Sequence, residues 1–367
     1  MSALTTTPSL LGFSKEDLEN HFKDHGEKPY RAKQVLEWLY QKRVESIEEM
    51  SNLPAPMREN LSAHFHINDL QHVDTKGSED TTRKFLFRLH DGRYVETVFI
   101  PANKGLKGKQ STRKTICVSS QVGCAFGCKF CASGLAGFTR NLTAAEIVGQ
   151  MLAVEKLTGE TINNVVFMGM GEPLANIANL IKSLEIITSH WGLNIGARSI
   201  TVSTSGLAPG IRELAEFPVP IRLAISLHGA TDEVRDLIMP VNSKWPIKDL
   251  FDSLHFWRQH KKQKISLEYI LIKGINDDLE QAAILAKRAK GLNAKVNLIP
   301  YNTVEGLEWE RPAIDHCYAF RDVISDQGIN TTLRIEKGGD IEAACGQLRL
   351  LKETEEGIIE APTKLRK

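Results

Sequence analysis

Apolar residues recur along this chain with two different periods. At the N-terminal end the period is helical. Leu18 and Phe22 follow Ser14 and Asp17, which read as an N-cap and its acidic partner. Val35, Leu36, Leu39 and Tyr40 follow Pro29, and Met57, Leu61 and Phe65 recur four apart after Pro54 and Pro56. These stretches predict a small helical unit over residues 1–75. Between 83 and 100 the period drops to two. Phe85, Phe87 and Leu89 alternate, Asp91-Gly92 marks a hairpin turn, and Tyr94, Glu96, Val98 and Ile100 share one face of the return strand. A β-hairpin extension is therefore expected over 76–110. Glu96 is a carboxylate on an otherwise apolar face, which by itself reads as a rim residue.

From residue 111 strand and helix patterns alternate. Strands are predicted at Thr115–Ser119, Asn164–Met168, Ser199–Ser203, Arg222–Leu227, Ile265–Ile272, Lys295–Ile299 and Thr331–Ile335. The clearest helix runs from Thr143 to Thr158, with Thr143 and Glu146 as a capping box and Gly159 at its exit. Repeated βα units imply an α/β core over 111–348 with a parallel sheet, barrel-like or doubly wound. Chemistry then belongs at the C-terminal ends of the strands. The last stretch, 349–367, carries Glu353, Glu355 and Glu356 and reads as a frayed tail.

Composition narrows the function classes. The 367 residues carry 46 Lys+Arg against 45 Asp+Glu, with 42% hydrophobic and 25% charged residues. Those proportions suit a soluble globular chain and exclude a disordered one. No apolar run approaches the roughly 18 residues of a spanning helix, and Met1-Ser2-Ala3-Leu4-Thr5 has no basic n-region, so a cytoplasmic protein is expected. Charge is uneven locally. Lys104, Lys107, Lys109, Arg113, Lys114, Lys129 and Arg140 face only Glu146 between 101 and 150. That segment suits a polyanion, or equally a solvated basic loop.

The cysteines carry the chemistry. Of Cys117, Cys124, Cys128, Cys131, Cys317 and Cys345, four fall within fifteen positions. Three of them form the loop Cys124-Ala-Phe-Gly-Cys128-Lys-Phe-Cys131, with Gly123 and Gly127 allowing close backbone approach. Three thiolates from one loop hold three irons of a [4Fe–4S] cubane and leave the fourth open to an exogenous ligand. Zinc is the competing reading. It asks for a fourth ligand, which Cys117 supplies only by leaving its predicted strand, and no matching pair lies elsewhere.

The C-x3-C-x2-C loop after a first βα strand, with Phe130 at its aromatic position, resembles the radical-SAM superfamily. The wider match lies in Gln121-Val122-Gly123-Cys124, Met168-Gly169-Met170-Gly171-Glu172-Pro173-Leu174, Ser203-Thr204-Ser205-Gly206, Ser226-Leu227-His228, Asn297-Leu298-Ile299-Pro300-Tyr301-Asn302 and Asp340-Ile341-Glu342-Ala343-Ala344-Cys345-Gly346-Gln347-Leu348. With these, residues 29–348 resemble the RlmN/Cfr family of RNA adenine methyltransferases. The resemblance implies a partial (β/α)6 barrel holding one [4Fe–4S] cluster on Cys124, Cys128 and Cys131. It implies that Gly171 and Glu172 bind the amino group of S-adenosylmethionine. Ser203, Ser226, Leu227, His228 and Asn302 would fix its ribose and adenine; alone they read as serine caps and a core histidine. It also assigns Cys345 as methyl carrier, Cys117 as its mechanistic partner and Glu96 as proton acceptor, while Cys317 reads as packing. The implied partners are 23S rRNA at the peptidyl-transferase centre, tRNA beside the anticodon, and an electron donor for the cluster. The helical unit, with Arg31, Lys33, Lys42 and Arg43, would be an RNA-docking face.

The implied chemistry suits its target. C2 of adenine is an electron-poor carbon with no lone pair to attack a sulfonium, whereas a radical adds to it. Two rivals stand beside this reading. One is methylation of C8 of the same adenine, which confers antibiotic resistance; the Met170–Leu174, Ser203–Gly206 and Ile299-Pro300 segments lean toward C2. The other is a non-catalytic RNA-binding module with a structural zinc.

Overall fold

The N-terminal helices form where polar caps meet apolar stripes. In the computed structural model, which describes residues 7–68, 70–77, 81–102, 112–135, 137–302, 309–334 and 347–359, α1 spans Lys15–Asp24. Ser14 and Asp17 cap each other at 3.0 and 2.9 Å. Helices α2 (Tyr30–Glu37) and α3 (Ala55–His64) complete the unit and bury Val35, Leu36, Met57 and Leu61.

Three antiparallel strands follow, β1 (Leu70–Gly77), β2 (Arg83–Leu89) and β3 (Tyr94–Pro101), with Asp91-Gly92 at the β2–β3 turn. The hairpin thus has a third strand on its outer edge. Next come β4 (Lys114–Cys117), the short β5 (Gln121–Gly123), α4 (Ala132–Leu135) and β6 (Phe138–Asn141), and then α5 (Ala144–Thr158). The α5 capping box is present, with Thr143 and Glu146 bonded reciprocally at 2.8 and 3.1 Å, and Gly159 leaves the helix at φ +69°. The remaining units are β7 (Asn164–Phe167), α6 (Ile177–Thr188), β8 (Ile200–Thr204), α7 (Ala208–Glu216), β9 (Arg222–Ser226), α8 (Asp232–Ile238), α9 (Ile247–His260), β10 (Ser266–Leu271), α10 (Leu279–Leu292), β11 (Lys295–Pro300), α11 (Ile314–Ser325) and β12 (Thr331–Leu333), before α12 (Gln347–Glu355).

One ten-stranded sheet contains all strands except the β5–β6 pair, in the order β1-β2-β3-β4-β7-β8-β9-β10-β11-β12. From β4 onward neighbours are parallel, and β3 joins β4 antiparallel. The fold is a partial barrel whose first strand is bonded to the accessory strands. Helix α5 lies between this sheet and the helical unit, so it is apolar nearly all round. A Cβ at Gly149 of α5 would sit 2.5 Å from Leu70 Cδ1, so a larger residue there would make the Leu70 side chain shift.

Arg43 is exposed yet paired. It follows α2 at φ +56° and its guanidinium meets the buried Glu155 of α5 at 2.6 Å. It thereby ties the helical unit to the core. No helix among the described residues is long and apolar enough to cross a membrane.

Candidate active site

Strand register decides which side chains share a face. Cys117 of β4 pairs with Val98 of β3 and Val166 of β7, and Val166 pairs with Thr201. Ser203 pairs with Ala224, Ser226 with Glu268, and Glu268 with Asn297. Side chains alternate along a strand. Glu96, Cys117, Ser203, Ser226, Glu268 and Asn297 therefore lie on one face. The other face, including Phe167, Val202, Ile225, Leu267, Tyr269 and Leu298, is sealed, and Tyr269 packs on Phe320 of α11. The polar set lines the inner side.

The cysteine loop is pinned on both flanks. Strands β5 and β6 pair at its base, the Cys124 N–H donates to Gly137 O at 3.0 Å, and the Lys129 N–H donates to Ile238 O at the end of α8 at 3.0 Å. Gly123 has φ +79°, and a Cβ there would collide with the Gly137 carbonyl and press on Arg349. The glycine is thus needed for loop closure. Burial pushes the Cys124 thiol up to about 12 and the Cys128 thiol higher still, with the neighbouring thiols adding to both. Among the described residues no three His, Cys, Asp or Glu side chains converge on a single ion. A cubane asks for something else, one thiolate on each of three irons. Three thiols of one fixed loop, near enough to feel one another's charge, fit that group, and loading it must displace their protons.

The second strand end carries Gly171 and Glu172. Gly171 sits at φ +96°, where a Cβ would lie 2.5 Å from Gln121 Cβ and 2.8 Å from its backbone nitrogen. The Glu172 N–H donates to Gln121 Oε1 at 2.8 Å. Its buried carboxylate accepts the Ser205 N–H and O–H at 2.7 and 2.8 Å, and the Leu174 N–H at 3.1 Å. Burial, outweighing these donors, holds its pKa above the ordinary carboxylate value. Glu172 lies close enough to act on the charge of Cys124 and Cys128, so the Gly-Glu turn and the thiol loop are neighbours.

His228 follows β9 at φ +57°. Its Nδ1 accepts the Ile270 N–H at 3.0 Å, so the ring hydrogen sits on Nε2. Burial lowers its pKa to about 3, which keeps the ring neutral. Phe130, from the cysteine loop, meets it edge-on at 4.8 Å. Leu227 is fully buried, and its N–H donates to Glu268 O at 3.0 Å. Asn302 stands beyond β11 with its Oδ1 taken by Arg311.

Glu96 is not a rim residue: it is 2% exposed. Its carboxylate accepts the Arg349 N–H at 2.7 Å in the first turn of α12 and pairs with Lys84 at 3.4 Å. The Arg349 side chain pairs with Glu353 at 2.8 Å, and Glu353 accepts the Tyr94 N–H at 3.3 Å. The expected frayed tail is instead a helix at this point, because an Arg–Glu pair four residues apart is buried against β3. Cys345 lies outside the described residues, as do Lys104, Lys107 and Lys109. Lys114 pairs with Glu160, and Arg140 with Glu146 and Asp91. Cys317 is fully buried on α11, as packing requires.

Sequence reasoning missed Lys84, Arg235, Glu268 and Arg349. Arg235 is fully buried and donates to Leu227 O, Ser205 O and Asn242 Oδ1 at 3.0, 2.5 and 2.5 Å, tying two strand ends together. An acidic residue inside the apolar run 265–272 was the available signal for Glu268.

A parallel βα sheet with three thiols on the loop after its first strand, and polar groups gathered on its inner face, defines a radical-SAM enzyme. Residues 118–286 match the family model of the radical SAM superfamily, and residues 9–67 match the model described as ribosomal RNA large subunit methyltransferase N-terminal domain. The chain is 55% identical over 348 residues, 95% of its length and 97% of the other, to a probable dual-specificity RNA methyltransferase RlmN of Akkermansia muciniphila. The probable RlmN of Bacillus subtilis is 43% identical over 96% of each chain. A crystal structure of a radical SAM methyltransferase from Sphaerobacter thermophilus superposes with a TM-score of 0.86 at 38% identity, covering 92% of this chain and 98% of that one. The chain belongs to the RlmN family of radical-SAM RNA methyltransferases. The cofactors of this class are a three-cysteine [4Fe–4S] cluster and S-adenosylmethionine.

Proposed function

We propose that this enzyme methylates C2 of an adenine in 23S rRNA at the peptidyl-transferase centre, and of the tRNA adenosine 3′ of the anticodon. The observation that carries the reading is near-full-length identity to relatives named dual-specificity RNA methyltransferases RlmN. The cluster, with S-adenosylmethionine bound and an electron supplied by a donor, furnishes a carbon radical. Cys124, Cys128 and Cys131 would hold it. Gly171 and Glu172 would take the amino group of S-adenosylmethionine, and Ser203, Ser226, Leu227, His228 and Asn302 its nucleoside. His228 suits that task as a neutral N–H donor. Cys345 would carry the methyl group, a role its thiolate nucleophilicity permits. Glu96 would take the C2 proton once the carbon carried on Cys345 has bonded to the adenine, with one electron passing back to the redox chain that supplied it. Cys117 would then attack the Cys345 sulfur, releasing product and leaving a disulfide for a reductant to reopen. Glu96 and Cys117 sharing the inner face supports the pairing of these two roles.

Mass spectrometry of nuclease-digested RNA tests the reading: 2-methyladenosine is expected, and 8-methyladenosine would transfer the chain to the resistance-type activity. Cys345→Ala should abolish methylation with iron content intact. A colourless, zinc-loaded protein without S-adenosylmethionine cleavage would leave only an RNA-binding module.

A further inference from the structure

One inner-face side chain has no task in the account above. Glu268 lies in β10 between Ser226 of β9 and Asn297 of β11, in register with both. It is 5% exposed. Its Oε1 accepts the Asn297 amide at 2.7 Å, and its Oε2 is buried with no hydrogen-bond partner among the described residues. Packing does not explain the residue, since Leu267, Tyr269 and Leu271 provide the sealed face of the same strand. A buried carboxylate oxygen without a donor is costly, and native proteins seldom leave one so. Arg334 and Lys295 lie near enough to favour its charge, while burial opposes it. Neither cation is bonded to the bare oxygen.

The backbone fixes what that oxygen is near. The Glu268 carbonyl accepts the N–H groups of Leu227 and His228 at 3.0 and 3.4 Å. The carboxylate therefore lies at the level of the Ser226-Leu227-His228 turn. An ammonium already has a candidate carboxylate in Glu172 at another strand end. What remains for the free Glu268 oxygen is a neutral donor presented from the inner face at that turn, and a hydroxyl meets that description. A hydroxyl-to-carboxylate bond is also among the stronger hydrogen bonds.

We propose that Glu268 is a further cofactor-binding residue, its bare oxygen accepting a ribose hydroxyl of S-adenosylmethionine. This rests on reading the strand ends as the nucleoside site. The test uses the reconstituted holoenzyme and S-adenosylhomocysteine, which is not cleaved, together with its 2′-deoxy and 3′-deoxy analogues, measured by equilibrium dialysis. Loss of one hydroxyl should weaken binding to the unaltered enzyme by about 10- to 100-fold, the range of a hydrogen bond to a charged group. Glu268→Gln should weaken S-adenosylhomocysteine by a similar factor and bind that deoxy analogue no worse than the parent. Equal binding of all three ligands to the unaltered enzyme overturns the proposal without recourse to any variant. Unchanged affinity in Glu268→Gln, or a weakened variant that still discriminates fully, overturns it too. So does a loss confined to RNA affinity, which would assign the hydroxyl to the nucleic acid. Failure of the unaltered enzyme to bind S-adenosylhomocysteine at all removes the nucleoside-site reading itself and the proposal with it.

Discussion

Replacing His228 by Asn should remove a defined part of the protein's acid sensitivity. In the folded chain Nδ1 accepts the Ile270 N–H and burial holds the imidazole pKa at about 3, against roughly 6.5 when unfolded. Between those values the unfolded chain binds a proton that the folded chain refuses, so stability falls as the pH drops below 6.5. The slope approaches about 1.4 kcal/mol per pH unit. By about pH 5, before most carboxylates titrate, the loss amounts to roughly 2 kcal/mol; carried down to pH 3 it reaches about 4 kcal/mol. Asn suits the comparison because its amide oxygen stands where Nδ1 does and Asn tolerates φ +57°. Losing the ring edge on Phe130 adds an offset that does not vary with pH. Urea unfolding of both proteins in steps from about pH 7.5 to pH 5 gives the difference in stability at each pH. That difference should move in favour of the variant by about 2 kcal/mol across the window. A difference constant with pH would mean that His228 titrates in the folded chain as it does in the unfolded one, and the argument from burial would be wrong.

Three further outcomes follow from the geometry. Gly171→Ala meets both a left-handed backbone and the Gln121 side chain, so urea unfolding should show a loss of about 2–5 kcal/mol. Gly127→Ala, at φ +59° with open space around it, should lose only the backbone part. Arg349→Met strands the buried Glu353 and should cost about 3–5 kcal/mol by the same assay, while Arg349→Met with Glu353→Leu should recover most of that. Alanine at Cys124, Cys128 or Cys131 should abolish iron binding and the visible absorbance of an anaerobic preparation, whereas Cys317→Ala should keep both.

Much of the core was legible because buried strands and capped helices write themselves plainly. All seven expected core strands are present where apolar runs meet turns, and α5 begins and ends at its cap residues. Strand β1 escaped because only Leu70 of its residues is buried, so no alternation marks it. Helix α12 escaped because its carboxylates resemble a tail until Arg349 and Glu353 are seen to satisfy each other in a dry interface. At the site, spacing identified the thiol loop, and motif resemblance selected Glu96. What Glu96 touches was only half visible, since Lys84 lies diagonally across the same hairpin whereas Arg349 is brought to it from the far end of the sequence. Glu268 escaped for the reverse reason: an apolar neighbourhood disguised it as a strand residue like the others.

The antiparallel seam between β3 and β4 has a practical consequence. Cutting the chain ahead of residue 111 to obtain a minimal catalytic module would strip Lys114–Cys117 of its backbone partners on the β3 side, leaving only those toward β7. The fragment would present an open border to which any extended polypeptide can add. It would also leave the Cys117 strand without the layer that aligns it. The accessory segment is the selvedge of this fabric, and a trimmed enzyme should be looked for in the pellet before it is looked for in an assay.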